Sequence, residues 1–412
     1  MVPNGWTIRS LGDLGRWSGG GTPSKAITEY WENGTIPWVS PKDMGSERIS
    51  ITEDYITPSA VEHSSTKLYP AGSVLVVTRS GILRKKVPVA LALVPVAVNQ
   101  DIKVLPSSKA ISTEYVANFM WCYNETILAR CAKDGTTVES IDTTSLLGFP
   151  IKLPPLTEQK KIAQILSTWD RAISSTEQLL ANSQQQKKAL MQQLLTGKKR
   201  LSDDKEWQKM PLEQVAEIRT GVAKGKTGLK DPVNVPYLRV ANVQDGYINL
   251  DEIKEIEIER DKMERFSLKK GDVLMNEGGD FDKLGRGDVW QGQIVPCLHQ
   301  NHVFAVRPDP KIMDSFFLAA LAASHYGKTY FLSCAKRSTN LASINSTQIK
   351  KFPVLVPSLQ EQKKIVAVLS TADREIAILK QKLDAIKQEK KALMKQLLTG
   401  KRRVQQLKDV ES

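Results

Sequence analysis

The chain has 412 residues, of which 41% are hydrophobic and 25% charged, and its formal net charge is +13. The length exceeds one ordinary core and the composition excludes a disordered chain, so two or three packed domains are expected. The charge excess favours a polyanionic partner, because each neutralised phosphate releases a condensed counterion, and no run of roughly 18 apolar residues is present to span a membrane.

The opening stretch, Met1-Val2-Pro3-Asn4-Gly5-Trp6, lacks the basic-then-apolar pattern of a signal peptide. Cys122, Cys131, Cys297 and Cys334 are scattered without close pairing, as reduced thiols in a cytoplasmic protein would be. Residues 1–152 mix short apolar runs with turn residues, which predicts a mixed α+β domain with irregular loops. Ser73 to Thr78 reads as a buried strand, and Glu114 to Cys131 as a helix carrying aromatic residues along an apolar face. Arg79 and Ser80 follow the strand, Arg84, Lys85 and Lys86 come next, and Ser40 and Lys42 follow the run Ile36-Pro37-Trp38-Val39. Arginine grips guanine through two parallel hydrogen bonds, asparagine does so with adenine, and lysine anchors phosphates. These loop residues are therefore candidates for contact with double-stranded DNA, with a solvated surface loop as the plainer alternative for each one.

Residues 153–201 form a separate segment. Leu153-Pro154-Pro155-Leu156 is extended, since proline removes a donor and biases its predecessor away from helix. A helix is predicted from Thr157, with Glu158 in its first turn and Gly197 as its C-terminal cap. About 40 residues at 1.5 Å each give a rod of about 60 Å. Ile162, Leu166, Trp169, Ile173, Leu180, Leu190 and Leu194 fall on the 3–4 spacing of a narrow coiled-coil seam.

Residues 202–355 return to mixed α+β character, with Asp272 to Met275 as a buried strand and Met313 to Phe331 as a helix. The corresponding DNA-contact candidates are Arg239 and Asn242 after Val235-Pro236-Tyr237-Leu238, then Asn276, Lys283 and Arg286, with Lys224 and Lys226 in a glycine-rich loop. Residues 356–412 form a second rod, whose seam is Ile365, Leu369, Ile376, Leu379, Leu383, Ile386, Leu393 and Leu397.

The second half repeats the first. Leu156-Thr157-Glu158-Gln159-Lys160-Lys161-Ile162 returns as Leu359-Gln360-Glu361-Gln362-Lys363-Lys364-Ile365, a shift of 203 residues. Lys187-Lys188-Ala189-Leu190-Met191 and Leu194-Leu195-Thr196-Gly197-Lys198 recur at the same shift, whereas the domains between them show only weak echoes. An internal duplication is the plain reading. Antiparallel pairing of the two rods would bury both seams and give a pseudo-two-fold arrangement. The alternative is that each stripe packs on its own globular domain.

Several motifs imitate chemistry. Gly221-Val222-Ala223-Lys224-Gly225-Lys226-Thr227 has three residues between its glycines where a phosphate loop needs four, and Gly19-Gly20-Gly21-Thr22-Pro23-Ser24-Lys25 occupies the same place in the first domain. Asn234-Val235-Pro236-Tyr237 is similar to an amino-methyltransferase site but lacks its first proline, so a strand entry fits better. Cys297, His299 and His302 have no fourth ligand at finger-like spacing, and no metal is expected. Glu277, Asp280 and Asp282 with Lys283 have no counterpart in the first domain to make a nuclease. No Ser/His/Asp triad is recognisable, so no catalytic residue is assigned.

The whole chain resembles the specificity subunit of type I restriction–modification enzymes. The resemblance is carried by Pro154 to Ile162 and Pro357 to Ile365. It is supported by Gly135-Thr136-Thr137 through Ile141 ahead of Phe149-Pro150, and by Ser338-Thr339-Asn340 through Ile344 ahead of Phe352-Pro353. It implies two mixed α/β target-recognition domains (1–152 and 202–355) joined by a central helix (153–201) and a C-terminal helix (356–412) that pair antiparallel as a coiled coil. It implies a non-catalytic chain that reads a split, asymmetric DNA site with a fixed spacer. The implied partners are two modification subunits, which carry S-adenosylmethionine, and restriction subunits, which use ATP and Mg²⁺ to translocate DNA; this chain would hold no cofactor. The competing readings are a lone DNA methyltransferase or nuclease, and an adapter whose domains do not touch DNA.

Overall fold

The computed structural model describes residues 2–133, 138–202, 206–225, 228–279, 281, 284–337 and 342–404. The chain divides into two compact units, Met1–Glu177 with Gln381–Ser412, and Gln178–Lys380. Each unit contains one globular head and a part of both long helices.

In the first unit the principal elements are β1 (Thr7–Ser10), β2 (Ile36–Val39), β3 (Val74–Val77), β4 (Val89–Ala92), β5 (Val96–Val98), β6 (Ile102–Leu105), α1 (Thr113–Cys122), α2 (Asn124–Cys131), β7 (Pro150–Leu153) and the start of α3 (Leu156–Leu194). All four residues of β3 are buried, because its sheet is covered on both faces. Val74 and Val76 face one apolar cluster with Tyr115, Phe119 and Met120 of α1, while Leu75 and Val77 face a second with Val39 and Val98. Alternation along a strand sends successive side chains to opposite faces. β3 pairs antiparallel with both β6 and β4, and β2 pairs parallel with β5. β1 closes the head against β7, with Thr7 opposite Leu153.

The second unit repeats this plan. Its elements are β8 (Gln208–Pro211), β9 (Ala216–Thr220), β10 (Pro232–Leu238), β11 (Lys254–Glu259), β12 (Val273–Asn276), β13 (Leu298–His299), β14 (Val303–Pro308), α4 (Ser315–Ala323), α5 (His325–Cys334), β15 (Pro353–Val356) and the start of α6 (Leu359–Thr399). β12 pairs with β14 as β3 does with β6, β10 pairs parallel with β13 as β2 does with β5, and β8 closes against β15. Two heads with little residue identity therefore share one topology.

The helices expected over Glu114 to Cys131 and Met313 to Phe331 are each broken in two. In the first, Asn124 turns out of register to bond both the amide and the carbonyl of Val87 (3.0 and 2.7 Å). In the second, the Ser324 hydroxyl donates to the Leu321 carbonyl (2.6 Å) and accepts from the Gly327 amide (3.4 Å), which caps a new helix.

The repeated Glu-Gln pair of the rods is buried and joins helix to head. Glu361 accepts from Arg200 Nε and Nη2 (2.9 and 3.0 Å), Trp207 Nε1 (3.0 Å) and the Leu201 amide (3.0 Å). Glu158 accepts from Arg403 Nε and Nη2 (2.8 and 2.9 Å), Trp6 Nε1 (3.1 Å) and the Val404 amide (3.4 Å). Gln362 and Gln159 take the backbone amides of Asp314 and Ser112 at 2.7 and 2.9 Å. Gly197 and Gly400, at φ of +71° and +74°, let the chain turn back after each helix into this clamp.

In both units the helices run antiparallel. In the first, Asp170 meets Lys390 and Glu177 meets Lys387; in the second, Ser183 meets Glu375 and Lys187 meets Asp373. The seam is shared with the heads. Ile162, Leu166 and Leu397 join the core of the first head, and Leu194, Ile365 and Leu369 that of the second. Ile376 and Leu383 are buried, whereas Trp169, Ile173, Leu180, Leu190, Leu379, Ile386 and Leu393 are half-buried. Thr176 is also buried in the seam register, and Ser183, Lys187 and Lys390 occupy further positions. The packing of a stripe on its neighbouring head and the pairing of the rods thus coexist, the first at the helix ends.

Candidate nucleic-acid interface

The second head opens where its central strand ends. Beyond β12, Glu277, Gly278, Gly279, His302, Lys336 and Arg337 line a groove of about 510 Å³. The Glu277 amide bonds the His302 carbonyl (2.9 Å), and the two side chains pair. Arg337 lies 5.8 Å above the exposed Phe281 ring, a cationic and aromatic surface suited to stacking. In the first head the same backbone positions carry different side chains. Thr78 bonds the Asp101 carbonyl (2.8 Å), Arg79 bridges to Ser140, and Arg84 pairs with Glu139. The arginine holds the Glu139 carboxyl below its ordinary range.

Against this frame the loop candidates separate into two kinds. Asn242 and Asn276 are buried, and their amides hold backbone: Asn242 bonds the carbonyls of Asn249 and Glu252 (2.9 and 3.0 Å), and Asn276 that of Val243 (2.8 Å). Ser40 is likewise buried, with its hydroxyl 2.8 Å from Asp43 in a capping box. Ser80 caps the short turn after β3 by accepting from Ile82 (3.5 Å). Arg239 is tied to Glu252 at 3.4 Å, and Lys42 to Glu53 and Asp54 at 2.9 and 3.0 Å, which raise the ammonium above its usual range. These six side chains shape loops, and none of them is presented free to a base.

Arg79, Lys85, Lys86 and Lys224 are exposed, with Lys224 over the Tyr237 ring at 5.6 Å. Arg84 is exposed but paired, and Arg286 is half-buried with its Nε lacking an acceptor among the described residues. Lys226 and Lys283 lie outside the described residues, as do Asp280 and Asp282.

The glycine-rich lookalike has a structural cause. A Cβ on Gly221 would sit 2.1 Å from the His299 carbonyl oxygen, and one on Gly20 would sit 1.8 Å from that of Val98, so both heads need glycine where backbone crosses backbone. His299 is buried with its Nδ1 2.6 Å from the Val303 carbonyl, and burial pulls it down to about 4. Among the described residues no group of three or more His, Cys, Asp or Glu could hold a metal.

Sequence reasoning did not single out Lys133, Lys336 or Arg337, and weighed His302 only as a metal ligand. The signal was present: Lys133 and Ser140 recur as Lys336 and Ser343 at the 203-residue shift, and in both heads the lysine and serine segments pair as neighbours.

A model of the type I restriction modification DNA specificity domain matches residues 3–182 and again residues 204–388. The chain belongs to this family. The specificity subunit of the EcoR124I/EcoR124II type I restriction enzyme of Escherichia coli is 46% identical over 167 residues, which are 40% of this chain and 41% of that one. That match spans about two fifths of the relative's length. The MjaIX specificity subunit of Methanocaldococcus jannaschii is 24% identical, with 98% of this chain and 95% of that one covered. The crystal structure of the type I restriction-modification S subunit from M. genitalium has the same fold, at a TM-score of 0.54, 15% identity and 96% coverage of each chain. By family, then, each half of the chain carries one type I restriction modification DNA specificity domain. None of the helices described is long and apolar enough to cross a membrane.

Proposed function

We propose that this specificity subunit reads a bipartite, asymmetric DNA site, one half with each head, and directs modification and restriction subunits to it. What supports the reading is that the two heads keep the same strand pairing and register at their central strands while the positions just beyond those strands carry different side chains, Thr78, Arg79 and Asp101 against Glu277, Gly278 and His302. Unlike heads suit unlike half-sites, whereas identical heads would demand a palindrome. The paired helices set the spacer between half-sites, since each inserted helical residue adds about 1.5 Å and a rotation. S-adenosylmethionine, ATP and Mg²⁺ belong to the partner chains.

Methylome sequencing of cells with and without this chain and its modification subunit tests the reading; the expected result is one split motif that vanishes with the chain. Lengthening the segment at Thr196-Gly197 should change the spacer and leave both half-sites unaltered. Altered half-sites with a constant spacer would contradict the proposal.

A further inference from the structure

The backbone frame at the end of the central strand is the same in both heads, and the side chains carried on it differ. The Thr78 amide bonds the Asp101 carbonyl (2.8 Å), and the Thr78 carbonyl accepts from the Ile141 amide (2.8 Å). In the second head the Glu277 amide bonds the His302 carbonyl (2.9 Å), and the Glu277 carbonyl accepts from the Ile344 amide (2.8 Å). Both positions are thus pinned by backbone on either side. Thr78 is buried, and its hydroxyl donates to the Asp101 carbonyl (3.1 Å), which keeps that donor inside the head. Glu277 is half-buried and stands in the wall of the groove of about 510 Å³, beside Gly278 and Gly279, which bring no side chain into it.

A carboxylate in this place needs a reason. Lys336 and Arg337 in the same walls suit phosphates, but a negative charge facing a polyanion is repelled unless it meets a donor. An internal ion pair would be reason enough if it used the whole carboxylate. It does not. Glu277 Oε2 pairs with His302 Nδ1, and because a carboxylate can only accept, Nδ1 carries the proton. Oε1 receives no hydrogen bond from the described residues, and no lysine or arginine among them pairs with Glu277. His302 therefore fixes one oxygen and leaves the other for a donor from outside. In the major groove the donors are the exocyclic amino groups, N4 of cytosine and N6 of adenine, whereas guanine and thymine present carbonyl acceptors there, which a carboxylate repels.

We propose that Glu277 reads one base of the second head's half-site through its exocyclic amino group, with His302 as the positioning residue that aims the carboxylate. This rests on the reading that each head takes one half of a split site. The test uses the full chain with its modification subunit. Methylome sequencing of Glu277→Gln should show one position relaxed in one half of the motif, because an amide both donates and accepts, and the other half unchanged. His302→Gln should relax the same position less fully. Duplexes of the wild-type motif are then made without that amino group, pyrimidin-2-one replacing cytosine or purine replacing adenine, which also tells the two bases apart. The wild-type complex should lose about ten-fold or more in affinity, as for a hydrogen bond to a charged group, and the Glu277→Gln complex much less. An unchanged motif from a Glu277→Gln chain that melts like wild type, relaxation in both halves, or an equal loss in both complexes would overturn the assignment. Should that variant fail to fold, the absence of a loss of about ten-fold on deleting any single amino group of the wild-type motif would do the same. A wild-type chain that gives no split motif would instead overturn the reading beneath it.

Discussion

Replacing Glu361 by alanine tests the clamp between helix and head. The carboxylate is almost fully buried, with its side chain 1% exposed, and its four donors are Arg200 Nε and Nη2, Trp207 Nε1 and the Leu201 amide. Truncation leaves the indole and the amide without an acceptor, at about 1–3 kcal/mol for each group that water cannot reach. Breaking a buried ion pair by removing one partner costs about 3–5 kcal/mol, but the Arg200 side chain is 28% exposed and can recover hydration, so the lower end applies. The expected loss is about 3 kcal/mol, and Glu158→Ala should behave alike because its donor set is the same. Urea unfolding followed by tryptophan fluorescence measures it as a lower midpoint. The pH dependence supplies the sign. Burial on its own would push the Glu361 carboxyl up, but the hydrogen bonds from Arg200, Trp207 and Leu201 together outweigh it and hold the group below its ordinary 4.5. A carboxyl depressed by folding stabilises fully above the unfolded value and stops doing so as pH falls through the folded one. The gap between wild type and Glu361→Ala should therefore be full at pH 7 and shrink as pH falls below 4.5 through the lowered folded value. A gap under about 1 kcal/mol at pH 7, or one that persists undiminished in acid, would refute the reasoning.

Three further outcomes follow from the second head. Lys336→Ala should weaken cognate and non-cognate DNA alike and lower the salt slope by about 1, as loss of one phosphate contact does; a sequence-dependent effect in a salt titration would argue against that role. His302→Ala should change base preference in one half of the methylated motif and leave the other half intact, which methylome sequencing reads directly. His299, held neutral by burial, should make the chain less stable as pH falls from 6.5 towards 4, because the unfolded chain takes up the proton first; His299→Gln should flatten that part of the profile in thermal melts.

The 203-residue repeat, the heptad spacing of the rods and the basic excess were legible in sequence because each is a regularity along the chain. They suffice for two related heads and two long helices, and the charge favours a polyanionic partner. The buried strand Val74–Val77 was legible too, since an apolar run bounded by turn residues has few other homes. The breaks at Tyr123 and Ser324 were not, because Asn124 is recruited by Val87, far away in sequence, and Ser324 caps a helix whose start no periodicity marks. Asn242, Asn276 and Ser40 have the chemistry of base readers, yet tertiary structure turns each inward to satisfy backbone groups that burial would otherwise leave unpaired. The Glu-Gln pair of each rod reads as a family signature in sequence, and only the fold shows why it recurs. Glu158 finds Arg403, and Glu361 finds Arg200, because antiparallel helices bring the end of one beside the start of the other, a proximity that no local pattern encodes.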